Sequence, residues 1–147
     1  MLRLTEEEID FAEVTESVRS AGAGAVVLFL GTVRELTDGL RTDALEYDAY
    51  APMAERKMAE LEANARTKWP LDCVSVVHRL GHLDPGEVSV AVAVSSAHRR
   101  EAFEAGQFLI DELKATVPIW KKEHRDGGTT EWVHPGLEAP SSPIPPS

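Results

Sequence analysis

The sequence predicts an α+β fold, a mostly antiparallel sheet packed against two main helices. Three observations carry that expectation. Two long stretches repeat apolar residues at helical spacing, and five shorter ones show β-branched or alternating patterns. With a short leading strand and a short helix added, the order β, α, β, β, α, β, β, α, β suits neither an all-parallel winding nor an all-β fold.

A short helix is expected near Phe11 to Arg19, ending before Gly22 and Gly24. The apolar run at Ala25 to Val33 reads as a strand, and Thr42 to Tyr50 as its successor. Between them Arg34 to Arg41 reads as an exposed mobile loop. Met53, Ala54, Lys57, Met58, Leu61, Ala65 and Trp69 recur at helical spacing, so a helix is expected from Pro52 to Trp69, stopped by Pro70. Strands follow at Asp72 to Leu80 and Glu87 to Ser95, divided by the turn signal Asp84-Pro85-Gly86. The second main helix, Ala97 to Thr116, aligns Phe103, Gly106, Ile110 and Leu113 along one stripe and stops at Pro118. A last strand covers Ile119 to Arg125. Residues 1–135 then form one domain, and the proline-rich tail of residues 136–147 is expected to be disordered.

Composition narrows the function. With 147 residues, 43% hydrophobic and 27% charged, the chain suits one globular domain with its own core. A net charge of −10 argues against binding a phosphate backbone, so nucleic acid is not an expected partner. No apolar run approaches the ~20 residues that span a bilayer, and the start lacks the basic and apolar regions of a secretory signal; a cytoplasmic protein is expected. The single cysteine, Cys73, sits in a strand-like run and reads as a small hydrophobe rather than a reactive thiol, and four-cysteine metal sites are excluded. If the protein moves sulfur, something else carries it. His78 and His82 flank a turn and read as structural rather than as metal ligands, and no cofactor is expected.

Charge is uneven along the chain. Residues 98–125 hold six Lys or Arg against five Asp or Glu. At their start Ser95-Ser96-Ala97-His98-Arg99-Arg100 passes from strand to helix, placing cations where the helix dipole prefers anions. An external anion would resolve that conflict; an ordinary Ser96 N-cap with exposed arginines is the other reading. Lys114 and Lys121 bracket Pro118. A lysine partly desolvated beside another cation can act as nucleophile or proton donor, but Lys114 is also favoured at a helix C-terminus on dipole grounds alone. Arg34, after Phe29-Leu30-Gly31-Thr32-Val33, is either a ligand-binding charge at a strand end or a surface arginine. Glu46, Tyr47 and Tyr50 are assigned to a sheet, with no chemistry.

Seven segments in one consistent order, from about Ala25 to Trp132, carry a resemblance. They are Phe29-x-Gly31-x-Val33-Arg34, Leu45-Glu46-Tyr47 with Tyr50 and Met53, His78-Arg79-x-Gly81, Pro85-Gly86-Glu87, Ser96-Ala97-His98-Arg99, Phe103 to Phe108, and Pro118-x-Trp120-Lys121-Lys122-Glu123. Together they resemble the catalytic large subunits of molybdopterin synthases, the MoaE family. The resemblance implies an α/β hammerhead fold, a homodimer, and a heterotetramer with two copies of a small ubiquitin-like sulfur carrier. The carrier's C-terminal Gly-Gly thiocarboxylate would deliver sulfur to cyclic pyranopterin monophosphate, forming the dithiolene of molybdopterin. It also implies that Lys114 and Lys121 are the catalytic lysines, and that Arg34 with Thr32 and Val33, His98 and Arg99 line the substrate pocket, with Lys122 and Glu123 at its rim. A non-catalytic member of the family and an unrelated anion-binding module are the competing readings; the seven ordered segments disfavour the second. The first 20 residues and those after Trp132 lie outside the resemblance.

Overall fold

The computed structural model of the chain describes residues 1–37, 39–125, 128–129 and 132–134. The expected tail lies outside them. The elements are β1 (Leu2–Thr5), α1 (Phe11–Val18), β2 (Ala25–Thr32), β3 (Leu36–Thr37), β4 (Leu40–Ala49), α2 (Ala51–Lys68), β5 (Leu71–Arg79), β6 (Gly81–Leu83), β7 (Val88–Ser96), α3 (Arg99–Thr116), β8 (Ile119–Arg125) and β9 (Gly128–Thr129). The α+β class holds, and the expected order reappears once the short strands β3, β6 and β9 are set aside.

Two sheets replace the single one expected. The first runs β1-β5-β7-β2, with β1 parallel to β5 and the other pairs antiparallel. The second runs β3-β4-β8-β9, and β6 joins it on β4. Part of the segment read as a loop between residues 34 and 41 is thereby a hairpin, with Leu36 opposite Arg41.

The central strand β7 explains how the first sheet is covered. Its side chains alternate between faces. Val90, Val92 and Val94 meet α2 and α3 through Met58, Leu61, Leu109 and Leu113, while Ala91 and Ala93 face Val14 and Val18 of α1. Bulky valines fill the side bearing two long helices; alanines leave room for the short one. The expectation of two helices on a sheet therefore describes one face only. Each fully buried valine contributes about 1.5–3 kcal/mol of transfer free energy, which makes this strand the anchor of the fold.

α3 begins at Arg99, with His98 as a cap that offers no side-chain hydrogen bond. Ser96 is not that cap, because its hydroxyl donates to the Pro70 carbonyl at 3.0 Å and remains part of β7. The C-terminal end of α3 carries Lys114 and stops before Pro118, so that β8 returns antiparallel along β4. In this way the second sheet is laid against the end of the helix. Among the described residues no helix is long and apolar enough to cross a membrane.

Candidate functional site

A cleft of about 390 Å³ opens where the two sheets and the end of α3 meet. Its walls come from distant parts of the chain: Phe29, Gly31 and Thr32 of β2, Arg34 beyond it, Thr42, Leu45 and Tyr47 of β4, Ser89 of β7, Lys114 of α3, and Lys121 and Glu123 of β8. Gly31 brings the backbone close; a Cβ there would lie 2.6 Å from Val90 Cγ1. The Ser89 hydroxyl donates to the Gly31 carbonyl at 3.2 Å, tying β2 to β7 at the cleft edge.

Strand alternation decides which β8 side chains reach this cleft. Lys121 and Glu123 share the face that carries Leu45 and Tyr47 on the paired strand, where Tyr47 stands opposite Lys121 and Leu45 opposite Glu123. Lys122 projects to the other face, its Nζ 5.1 Å from the centre of the Trp132 ring. His124, also on that face, meets Glu46 Oε1 at 2.9 Å.

Glu123 is 7% exposed, and a carboxylate so enclosed needs partners. It has them in Lys121, whose Nζ lies 3.6 Å from Oε1, and in the Arg125 guanidinium, which contacts Oε2. Glu123 therefore fixes the Lys121 side chain, which is 16% exposed, within the wall. The Lys121 backbone is fixed as well: its N–H donates to the Val133 carbonyl and its carbonyl accepts from the Val133 N–H, both at 2.7 Å. Next to this bridge His134 donates from Nε2 to the Val117 carbonyl at 2.8 Å, joining the chain after β8 to the stop of α3.

Of the residues singled out in the sequence, Thr32, Arg34, Lys114, Lys121 and Glu123 meet at this cleft. Val33 lies beside it, but its side chain is buried with Leu45 and Leu83 and its backbone bonds Glu87 and Gly86. His98 and Arg99 are elsewhere. They are exposed at the opposite end of α3, and the fifteen residues from Arg99 to Lys114 place them about 22 Å away along the helix axis. One chain does not assemble the whole expected set.

Tyr47, Ser89 and His78 were assigned no chemistry, yet they stand at or behind the cleft. His78 is buried, and its Nδ1–H donates to the Arg79 carbonyl at 2.8 Å while Tyr47 packs edge-on at 4.9 Å between ring centres. Burial, opposed by the Arg79 hydrogen bond and reinforced by the positive charge of Lys114, lowers its pKa to about 4. Its signal in the sequence was its place in His78-Arg79-x-Gly81, too general to reveal what lay across from it. Among the described residues no group of three or more His, Cys, Asp or Glu is placed to hold a metal. Cys73 is half-buried on β5, five residues from His78 and thus about 16 Å along the strand from the cleft.

Comparison with known proteins sets this geometry in a family. The molybdopterin synthase catalytic subunit of Halalkalibacterium halodurans is 43% identical over 140 residues, spanning 95% of this chain and 89% of that one. The X-ray structure of molybdopterin synthase from Staphylococcus aureus superposes with a TM-score of 0.83 at 42% identity, over 88% of this chain and 93% of that one. A complex of subunits 1 and 2 of the molybdopterin-converting factor from Helicobacter pylori shares the fold, with a TM-score of 0.72 at 22% identity over 88% of each chain. Residues 4–116 match the model of the MoaE protein family, and the chain belongs to that family.

Proposed function

We infer that this chain is the catalytic subunit of a molybdopterin synthase, an enzyme of molybdenum cofactor biosynthesis and by reaction a sulfurtransferase. The observation that carries the reading is the meeting of Arg34, Lys114 and Lys121 in one cleft of a chain whose net charge is −10. Cations gathered against the overall charge serve an anionic ligand, and the substrate here is cyclic pyranopterin monophosphate. The names of the relatives support the same assignment.

The sulfur arrives as the C-terminal Gly-Gly thiocarboxylate of a small ubiquitin-like carrier. An extended glycine tail is narrow enough to enter between the sheets. The thiocarboxylate sulfur forms a C–S bond to a side-chain carbon of the pterin as a C–O bond of that carbon breaks, its oxygen leaving as water or staying on the phosphate; water then cleaves the acyl–sulfur bond, leaving a carboxylate on the carrier and a thiolate on the pterin. A second carrier repeats the step, and the two sulfurs make the dithiolene. Lys114 and Lys121 supply protons or stabilise the negative charge that develops on the acyl oxygen. Cys73 takes no part, in keeping with its distance from the cleft.

His98 and Arg99 serve the substrate phosphate from a second copy of the chain. Their 22 Å separation from Lys114 favours this arrangement over a single-chain pocket. It accords with a homodimer carrying one carrier at each end, a heterotetramer overall. The test is reconstitution: cyclic pyranopterin monophosphate, the protein and thiocarboxylated carrier are mixed and molybdopterin is measured. Product that requires both protein and thiocarboxylate is expected. Carrier binding without product, under conditions in which the S. aureus enzyme turns over, would make the chain a non-catalytic member.

A further inference from the structure

Behind the cleft lies a second, enclosed cavity of about 20 Å³, walled by Tyr47, His78, Ser89, Val90, Leu113 and Lys114, with Val117 and Ile119. Tyr47, Ser89 and Lys114 belong to both spaces, so the cavity is the floor beneath the lysine. A space of that size, with polar groups in its wall, has room for one water.

Two contacts fix the His78 ring that forms part of this floor. Nδ1 faces the Arg79 carbonyl at 2.8 Å; a carbonyl only accepts, so the ring proton is on Nδ1. Nε2 then carries a lone pair. Tyr47 packs edge-on against the ring and prevents it from turning. Leu113 and Val117, on either side of Lys114 in sequence, close the apolar part of the wall.

We propose that His78 is a positioning residue for Lys114: its Nε2 lone pair faces the enclosed cavity and, through one water held there, accepts a hydrogen bond from the Lys114 ammonium. The assignment rests on the sulfur-transfer reading of Lys114 given above. An acceptor behind the ammonium restricts a long flexible side chain to one point of the cleft, and a neutral imidazole can serve as one. The burial that keeps His78 uncharged near pH 7 suits this role, since an imidazolium has no lone pair and would repel the lysine.

Long-range 1H–15N spectra of His78 in the intact wild-type protein test the geometry, with His78→Gln to assign the signal. A proton on Nδ1 and none on Nε2 is expected from pH 6 to 8; a proton on Nε2 would overturn the proposal. Kinetics test the consequence in the reconstituted enzyme. His78→Phe keeps the ring shape but removes the acceptor, and should lower kcat about tenfold with KM changed less than about twofold. His78→Gln, with an amide oxygen near the Nε2 position, should recover most of the loss. A folded His78→Phe enzyme with wild-type kcat would contradict the assignment; if that variant does not fold, the tautomer in the wild type decides. Lys114→Ala in the same assay separates the two readings: undiminished turnover there removes the role of Lys114 in sulfur transfer, whereas the tautomer is read without activity.

Discussion

The two ends of α3 carry comparable charge and differ in everything around it. At the N-terminal end Arg99 and Arg100 are exposed beside His98, and Arg100 makes an i,i+4 contact with Glu104, at 3.4 Å. At the C-terminal end Lys114 joins Arg34, Lys121 and Glu123 in a walled cleft, above a cavity closed by a buried histidine. A cation in water is screened and mobile, and one held by low-dielectric walls acts on its neighbours with several times the strength. On the proposed reading, the C-terminal end performs chemistry within one chain and the N-terminal end is met by a second copy.

Predictions follow from how each end is built. Lys114 apart, the largest concerns His78 under the walled end. Its pKa is about 4 against an ordinary value of 6.5, so between those limits the unfolded chain binds the proton and the folded chain does not. Its contribution is complete above about pH 6.5 and is lost as the pH falls towards 4, by about 3 kcal/mol. Urea unfolding of wild type and His78→Gln at pH 7, 5.5 and 4.5 should show a steeper decline for the wild type; parallel curves would deny that the ring is buried neutral.

Next in size is the open end. Arg99→Ala should raise KM for the pterin phosphate about tenfold and leave kcat within about twofold, the pattern of lost uniform binding. Assayed well below KM, mixing Arg99→Ala with Lys114→Ala subunits should restore the wild-type kcat/KM at one site of each mixed dimer, and exchanged dimers that gain nothing over Arg99→Ala alone would place Arg99 outside the partner's cleft. The smallest effect belongs to Lys122→Ala. Its side chain packs on Trp132, away from the cleft, so kcat/KM should change by less than about twofold; a tenfold fall would show that the strand face is misassigned.

Much of the fold was legible because its signals are local. Prolines 70 and 118 stop α2 and α3, and the valines of β7 announce a strand buried on both faces. The short strands β3, β6 and β9 were not, since two or three residues carry no period and owe their pairing to β4 and β8. The start of α3 was misplaced because Ser96 has the chemistry of an N-cap, and only its tertiary partner, the Pro70 carbonyl, shows that its hydroxyl is already used. Arg34 stood out as a charge at a strand end, and Lys114 and Lys121 as the pair that brackets Pro118. Their convergence could not, because it depends on β8 folding back along β4 with Tyr47 opposite Lys121. His78 reads as a core histidine for the same reason: nothing beside it in sequence indicates that Lys114 lies across a cavity from it.

The central claim, that the Lys114 end of α3 is where sulfur is transferred, is tested most directly by a single turnover. Wild-type and Lys114→Ala proteins, each saturated with thiocarboxylated carrier, are given cyclic pyranopterin monophosphate and the rate of C–S bond formation is followed. A loss of about a thousandfold with carrier affinity unchanged is the predicted result, the size expected for removing a proton donor and a stabilising charge together. A Lys114→Ala protein that transfers sulfur at the wild-type rate would contradict the account.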